Sequence, residues 1–173
     1  MKCWLLSMPT DDSDELRDLL PSLGRMQRLM GIDLGTKTIG LALSDVERRL
    51  ATPLETLKRG KFSADAAQLL ALADKFDVAG FVMGLPLNMD GTEGPRAQAT
   101  RAFVRNLKAL TSRPVIFWDE RLSTAAVNRS LIDLDVSRAK RAAVIDKMAA
   151  AYILQGALDR VNRSNASKDH EPP

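Results

Sequence analysis

Three acidic positions stand where strands or helices change, and their chemistry is that of a shared cation site. The apolar run Leu29-Met30-Gly31-Ile32 is interrupted by Asp33 before the turn at Gly35, Pro114–Trp118 ends on Asp119-Glu120, and Asp146 opens the last predicted helix. A carboxylate set among Ile32 and Leu34 gains nothing unless its charge has a partner. In a parallel sheet, strand C-termini and helix N-termini converge on one edge, where ligands bind. Carboxylates gathered there repel one another unless divalent cations neutralise them. Mg²⁺ and Mn²⁺ favour such all-oxygen ligands. Two of them about 4 Å apart activate a water and stabilise the leaving oxygen of a phosphodiester. Each acid also has a simpler reading. Asp33 could sit exposed at a hairpin bend, Asp119-Glu120 could cap a helix before Ser123, and Asp146 could favour its own helix dipole. One site accounts for all three.

A second group of residues suits phosphate. Lys37 puts a cation beside Asp33, and Gly35 and Gly40 let a backbone or phosphate come close. The stretch Gly84-Leu85-Pro86-Leu87-Asn88-Met89-Asp90-Gly91-Thr92-Glu93-Gly94-Pro95 is a glycine-rich loop running into a helix that starts on Pro95. Such a helix N-terminus offers free N–H groups to an anion, and Asn88 can donate to a phosphate or position a water. Beyond it Arg101, Arg105 and Lys108 share one helical face opposite Phe103, Leu107 and Leu110, where they track a nucleic-acid backbone or form solvated surface. Arg121 can hold a phosphate in bidentate fashion or pair with a neighbouring acid. Val136–Arg141 reads as a basic loop leading to Asp146, with Arg138 and Arg141 as phosphate contacts or as solubilising charge.

The elements that position these residues follow from patterning. Leu29–Asp33 and Ile39–Ser44 read as paired strands, and Ala51–Leu57 as a third, placed at an edge by Pro53. Ser63 caps a helix bearing Ala66, Leu69, Leu70, Ala73 and Phe76 at helical spacing. Val78–Met83 and Pro114–Trp118 read as buried strands, with helices near Pro95–Ala109, Thr124–Leu134 and Val144–Val161. Three early strands followed by alternating strand and helix predict an α/β fold, a mixed sheet with helices on both faces. Residues 1–27 read as an N-terminal extension, a short helix or a flexible segment, with Leu16, Leu19 and Leu20 on one face. Residues 28–162 form the domain, and residues 163–173 read as a disordered polar tail.

Composition narrows the function classes. The 173 residues, 45% hydrophobic and 27% charged, suit one soluble domain with a sizeable core. No apolar stretch approaches the roughly 20 residues of a membrane span, and the short opening run before Pro9 fails as a signal peptide. Cys3 is the only cysteine and His170 the only histidine, which excludes an internal disulfide, a cysteine zinc site and a histidine-based triad. A cytoplasmic location follows. The net charge of +3 and pI near 9.2, with basic residues concentrated between Arg96 and Lys147, suit a polyanionic partner and no membrane. Trp4, Trp118 and Tyr152 are too scattered for a base-stacking platform.

Four ordered motifs carry a family resemblance. Gly31-Ile-Asp-Leu-Gly-Thr-Lys, Gly84-Leu-Pro-Leu-Asn-Met-Asp-Gly-Thr-Glu-Gly, Asp119-Glu-Arg-Leu-Ser-Thr and Asp146-Lys-Met-Ala-Ala-Ala-Tyr-Ile-Leu-Gln resemble the signature of the YqgF-type family. Its members are small bacterial RNase H-like proteins, described as Holliday junction resolvases and as nucleases maturing the 5′ end of pre-16S rRNA. The likeness runs from Leu29 to Val161. It implies a three-layer RNase H-like fold on a five-stranded sheet, Mg²⁺- or Mn²⁺-dependent phosphodiester hydrolysis, and an acidic site at Asp33, Glu120 and Asp146. The family often has Arg where this chain has Thr38, so a phosphate contact there falls to Lys37 or is absent. The leading expectation is an endonuclease on structured RNA, with pre-16S rRNA favoured. Four-way DNA junctions are the alternative substrate, and a non-catalytic RNA-binding assembly or transcription factor is the alternative class. The Asp-Leu-Gly-Thr turn also resembles the phosphate loop of actin-like ATPases, which need two such domains. A monomer or weak homodimer is expected, since paired junction nicks favour a dimer.

Overall fold

A computed structural model of the chain describes residues 12–122 and 138–168. Their order is α1 (Asp12–Leu19), β1 (Arg28–Leu34), β2 (Thr38–Ser44), β3 (Ala51–Lys58), α2 (Phe62–Lys75), β4 (Val78–Leu85), α3 (Pro95–Lys108), β5 (Val115–Asp119) and α4 (Arg138–Lys168). The five strands form one mixed sheet in the order β3-β2-β1-β4-β5. β1–β2 and β2–β3 are antiparallel, whereas β1–β4 and β4–β5 are parallel. This is the expected RNase H-like architecture. β3 is one of the two edge strands, and its Pro53 pairs with Ala42 where the register shifts, a place that tolerates a residue without an N–H.

The period of two along each strand sorts side chains between two apolar layers. Met30, Ile32, Leu34, Ile39, Leu41, Phe81, Met83 and Val115 pack with Ala66, Leu69 and Ala73 of α2 and Phe103, Val104 and Leu107 of α3. Leu29, Ala42, Val82 and Ile116 face the other way, against Ala150, Ile153, Leu154, Ala157 and Leu158 of α4. Leu16 of α1 joins this second layer at 1% exposure, so α1 docks on the body. Burying that one side chain contributes about 2 kcal/mol.

Several expectations are corrected. The first residue of α2 is Phe62, and Lys61 is its N-cap with no side-chain hydrogen bond, so Ser63 is not the cap. Asp65 in the first turn accepts the Gly60 N–H at 2.9 Å instead. Leu110 lies beyond the end of α3 and is exposed rather than part of its apolar face. α4 begins at Arg138, so Asp146 lies in its interior instead of opening it, and Arg138–Arg141 are helical rather than loop. Ala, Arg and Lys are strong helix formers, and nothing in Arg138-Ala139-Lys140-Arg141-Ala142-Ala143 breaks a helix. α4 also passes residue 162 and ends at Lys168, although Asn162, Ser164, Asn165 and Ser167 are weak helix formers. The expected helix at Thr124–Leu134 lies outside the described residues. Among the described residues no helix is long and apolar enough to cross a membrane.

Candidate active site

Strand parity brings the acids together. Along β1, Leu29 and Asp33 share the face covered by α4, and Glu120 continues the Ile116–Trp118 side of β5 onto that same face. Asp33 is paired across β1–β2 with Gly40, and a Cβ on Gly40 would run into the main-chain carbonyl of Asp146. Only a glycine lets α4 pass this close, and that approach seats Asp146 beside Asp33. Gly84 does the same for the third acid. A Cβ there would collide with Oε1 of Glu120 and lie 2.5 Å from Cδ1 of Ile153.

The three carboxyls feel one another. Burial pushes Asp33 up to about 6, and the negative charge of Asp146 adds to the rise. Burial likewise pushes Glu120 up to about 7, with Asp33 raising it further. Asp33 is thus the middle acid of the set. Arg96, on the first turn of α3, opposes both shifts. Sequence reasoning missed Arg96. Its cue was a cation in the first turn of a helix, where the dipole favours acids, so its charge has to be used by a neighbour.

Thr38 was also missed as a site residue. Its hydroxyl donates a short hydrogen bond to Oδ2 of Asp146. Thr38 therefore orients Asp146. The turn between Asp33 and Thr38 is held from outside. Gly35 N–H donates to the Thr38 carbonyl at 2.9 Å, and Arg59 Nη1 donates to the Gly35 carbonyl at 2.9 Å. Buried Asp65 lies 4.0 Å from Arg59 and backs it.

The expected phosphate contacts are disposed less uniformly. Lys37 is exposed at the tip of the turn. Asn88 serves its own loop: its main-chain N–H donates to the Thr92 carbonyl at 2.9 Å and its Nδ2 to Thr92 Oγ1 at 2.9 Å. Asp90 accepts from the Thr92 N–H and hydroxyl at 2.9 and 2.6 Å, and Gly91 supplies the positive φ of 85° that closes the loop. Met89 is left 86% exposed at its tip. Arg121 pairs with Asp119 at 2.5 Å, the acid-pairing alternative for that residue, and its Nη1 lies beside Gly91. Arg101 pairs with Glu93, also at 2.5 Å. The side chains of Arg138 and Arg141 lie outside the described residues.

Among the described residues no three His, Cys, Asp or Glu side chains are gathered tightly enough to make a complete cation cage. The set is nonetheless all-oxygen and mutually repulsive, the donor chemistry of a hard divalent cation.

Comparison with known proteins gives the family and the fold. The family model described as "RuvX: Holliday junction resolvase" matches residues 27–160. A protein of Beijerinckia indica subsp. indica named "Putative pre-16S rRNA nuclease" is 70% identical over 158 residues, covering 91% of this chain and 96% of its own. A protein of the same name from Methylocella silvestris is 70% identical over 152 residues, covering 88% and 94%. Among solved structures, T. thermophilus RuvC in complex with a Holliday junction substrate superposes with a TM-score of 0.51 at 18% identity, covering 79% of this chain and 96% of that one, a likeness of fold.

Proposed function

Because the chain belongs to the RuvX family, we propose that the carboxylates on the α4 face of its sheet are the centre of a metal-dependent endonuclease that trims the 5′ end of pre-16S rRNA. The chain is a nuclease, a hydrolase acting on ester bonds. The observation that carries the reading is the raised pair Asp33 and Glu120, with Asp146 beside Asp33. Three acids stacked on one sheet face cost stability unless positive charge arrives. Asp33, Glu120 and Asp146 would hold Mg²⁺ or Mn²⁺, both of which suit carboxylate oxygen. Such a cation, when bound, supplies charge for the crowded phosphorus of the transition state and makes water a better nucleophile near neutral pH.

The chain's own residues supply the rest. Thr38 fixes the rotamer of Asp146 through Oδ2 and leaves Oδ1 outside that bond. Arg96 brings positive charge to the same edge, placed to meet a phosphate once the acids are neutralised. Lys37 at the turn and Arg121 beside the Gly91 loop flank the approach. The substrate is taken from the name the relatives carry, and a role in ribosome biogenesis in the cytoplasm goes with it. The family description favours a second reading, cleavage of four-way DNA.

Purified protein would be incubated with precursor rRNA and with a four-way junction, each with Mg²⁺, Mn²⁺ or a chelator. Metal-dependent cutting of the precursor near the mature 5′ end, absent with chelator, is expected. Asp33→Asn is expected to slow it at least about a hundredfold, since metal charge stabilisation is worth several kcal/mol. An Asp33→Asn variant as fast as the parent would remove the metal-site assignment. Preferential cutting of the junction by a species of dimeric solution mass would move the substrate to DNA.

A further inference from the structure

Away from the acids, α3 and β5 leave a groove of about 270 Å³ lined by Arg101, Val104, Arg105, Lys108 and Phe117. We propose that this groove holds a single-stranded stretch of the nucleic-acid substrate, with a base stacked at Arg101 and the following phosphates on Arg105 and Lys108. The proposal rests on the nuclease reading above and adds a site for the flanking strand.

Its floor and its walls differ in kind. The Arg101 guanidinium lies over the Phe117 ring, 4.7 Å from the ring centroid. Glu93 fixes it there through Nε hydrogen bonds of 2.7 and 2.9 Å and an Nη2 bond of 2.5 Å. That bonding holds the Glu93 carboxyl below the usual carboxylate range, so the clamp persists at mildly acid pH. A guanidinium has two faces. One rests on Phe117, and the side chain is still 46% exposed. A flat cation braced from beneath is a stacking surface for a base.

Spacing and charge then favour a polynucleotide. Arg101, Arg105 and Lys108 share one face of the helix, with axial rises of about 6 Å and about 4.5 Å between them, whereas Arg96 lies about 140° around the helix from Arg101. These steps let neighbouring phosphates of one strand meet Arg105 and Lys108 beside a base at Arg101. Arg105 and Lys108 are exposed, while Val104 is buried beneath them. An acidic peptide would satisfy the cations but has nothing to place on the Arg101–Phe117 stack. A nucleotide uses both.

The test measures binding in an Asp33→Asn background, so that turnover does not consume the probe. The probe is a short fluorescein-labelled single-stranded RNA, read by anisotropy over a salt series, beside an abasic oligomer of equal length. Charge reversal at Arg105→Glu with Lys108→Glu lies on exposed helix and is expected to leave the melting curve unchanged. It should weaken RNA binding by about tenfold and flatten the log–log salt slope by about 1.4, two single-strand phosphate contacts. Arg101→Lys keeps the charge but loses the plane, and should cut the preference for RNA over the abasic oligomer about tenfold. Parental affinity and salt slope in the double variant would overturn the proposal, as would tighter binding of poly-glutamate than of RNA. If the parent cleaves no nucleic acid yet the double variant still loses the RNA, the groove stands and the nuclease reading falls. If the parent cleaves precursor rRNA and the double variant binds RNA as the parent does, the nuclease reading stands and the groove falls.

Discussion

Asp33 is buried beside another acid, and that placement sets a pH dependence. Its carboxyl titrates near 6 in the folded chain against 3.8 for an unperturbed group. Between those values the folded state keeps a proton that the unfolded chain has lost, so stability from this group is greatest below about pH 4 and falls as pH rises through 6. Glu120, raised from 4.5 to about 7, acts in the same direction. Burial is the largest cause of both shifts; Asp146 on α4 adds to that of Asp33, Asp33 and Asp119 add to that of Glu120, and Arg96 on α3 opposes both. Urea unfolding without divalent cations is therefore expected to show the parent losing about 2–3 kcal/mol relative to Asp33→Asn between about pH 4 and pH 7. A parallel pair of curves would refute the coupling. Thr38 gives a second prediction at this scale. A hydrogen bond to a charged acceptor is worth about 1.5–3 kcal/mol. Thr38→Val should lower kcat about tenfold or more with KM little changed, and Thr38→Ser should restore it. Recovery with Ser but not with Val separates orientation of Asp146 from packing.

Elements decide which residues of the motifs meet. Gly40 permits the crossing of β2 by α4 that delivers Asp146, and any side chain there presses on main chain, which cannot swing away as a side-chain tip can. Gly40→Ala is expected to cost about 3 kcal/mol in thermal or urea unfolding and to lower cleavage. By contrast, Gly84→Ala presses on the movable end of Glu120 and should impair cleavage more than stability. This is also the scale at which the sequence was readable and then ceased to be. The strands were legible because apolar runs with turn residues at both ends have few alternatives, and Pro53 marked the edge strand. Asp33 and Glu120 were legible because an acid closing an apolar run is costly unless used. The start of α4 was not, since charge-rich Arg138–Arg141 has the composition of a loop and the propensity of a helix. Thr38 and Asp146 are 108 residues apart, and only the sheet register and the Gly40 crossing bring them together. The charge of Arg96 acts on Asp33 and Glu120 across space, an interaction that the placement of α3 creates and no local pattern encodes.

For the whole molecule, the proposed metal site would couple folding to cation. A ligand held at about 100 times its dissociation constant stabilises the folded state by about 2.7 kcal/mol. For a chain of this size that is about 5–10 °C in Tm. Saturating Mg²⁺ should therefore raise Tm by that amount near pH 8 and much less near pH 5, where Asp33 and Glu120 hold their protons; Asp33→Asn should abolish the shift. A scanning calorimetry trace unmoved by Mg²⁺ at the higher pH would contradict the site. α4 also bears on the order in which this protein comes into being. It follows every strand in translation, yet it supplies Asp146 and covers the face of the sheet that bears Asp33. A ribosome-bound chain that has emerged only through β5 has two of its acids on an uncovered apolar sheet and lacks the third. On the proposed nuclease reading, the three-acid edge is complete only after residues 138–168 have been made, which would keep a nascent chain from cutting the RNA of the machine that is making it.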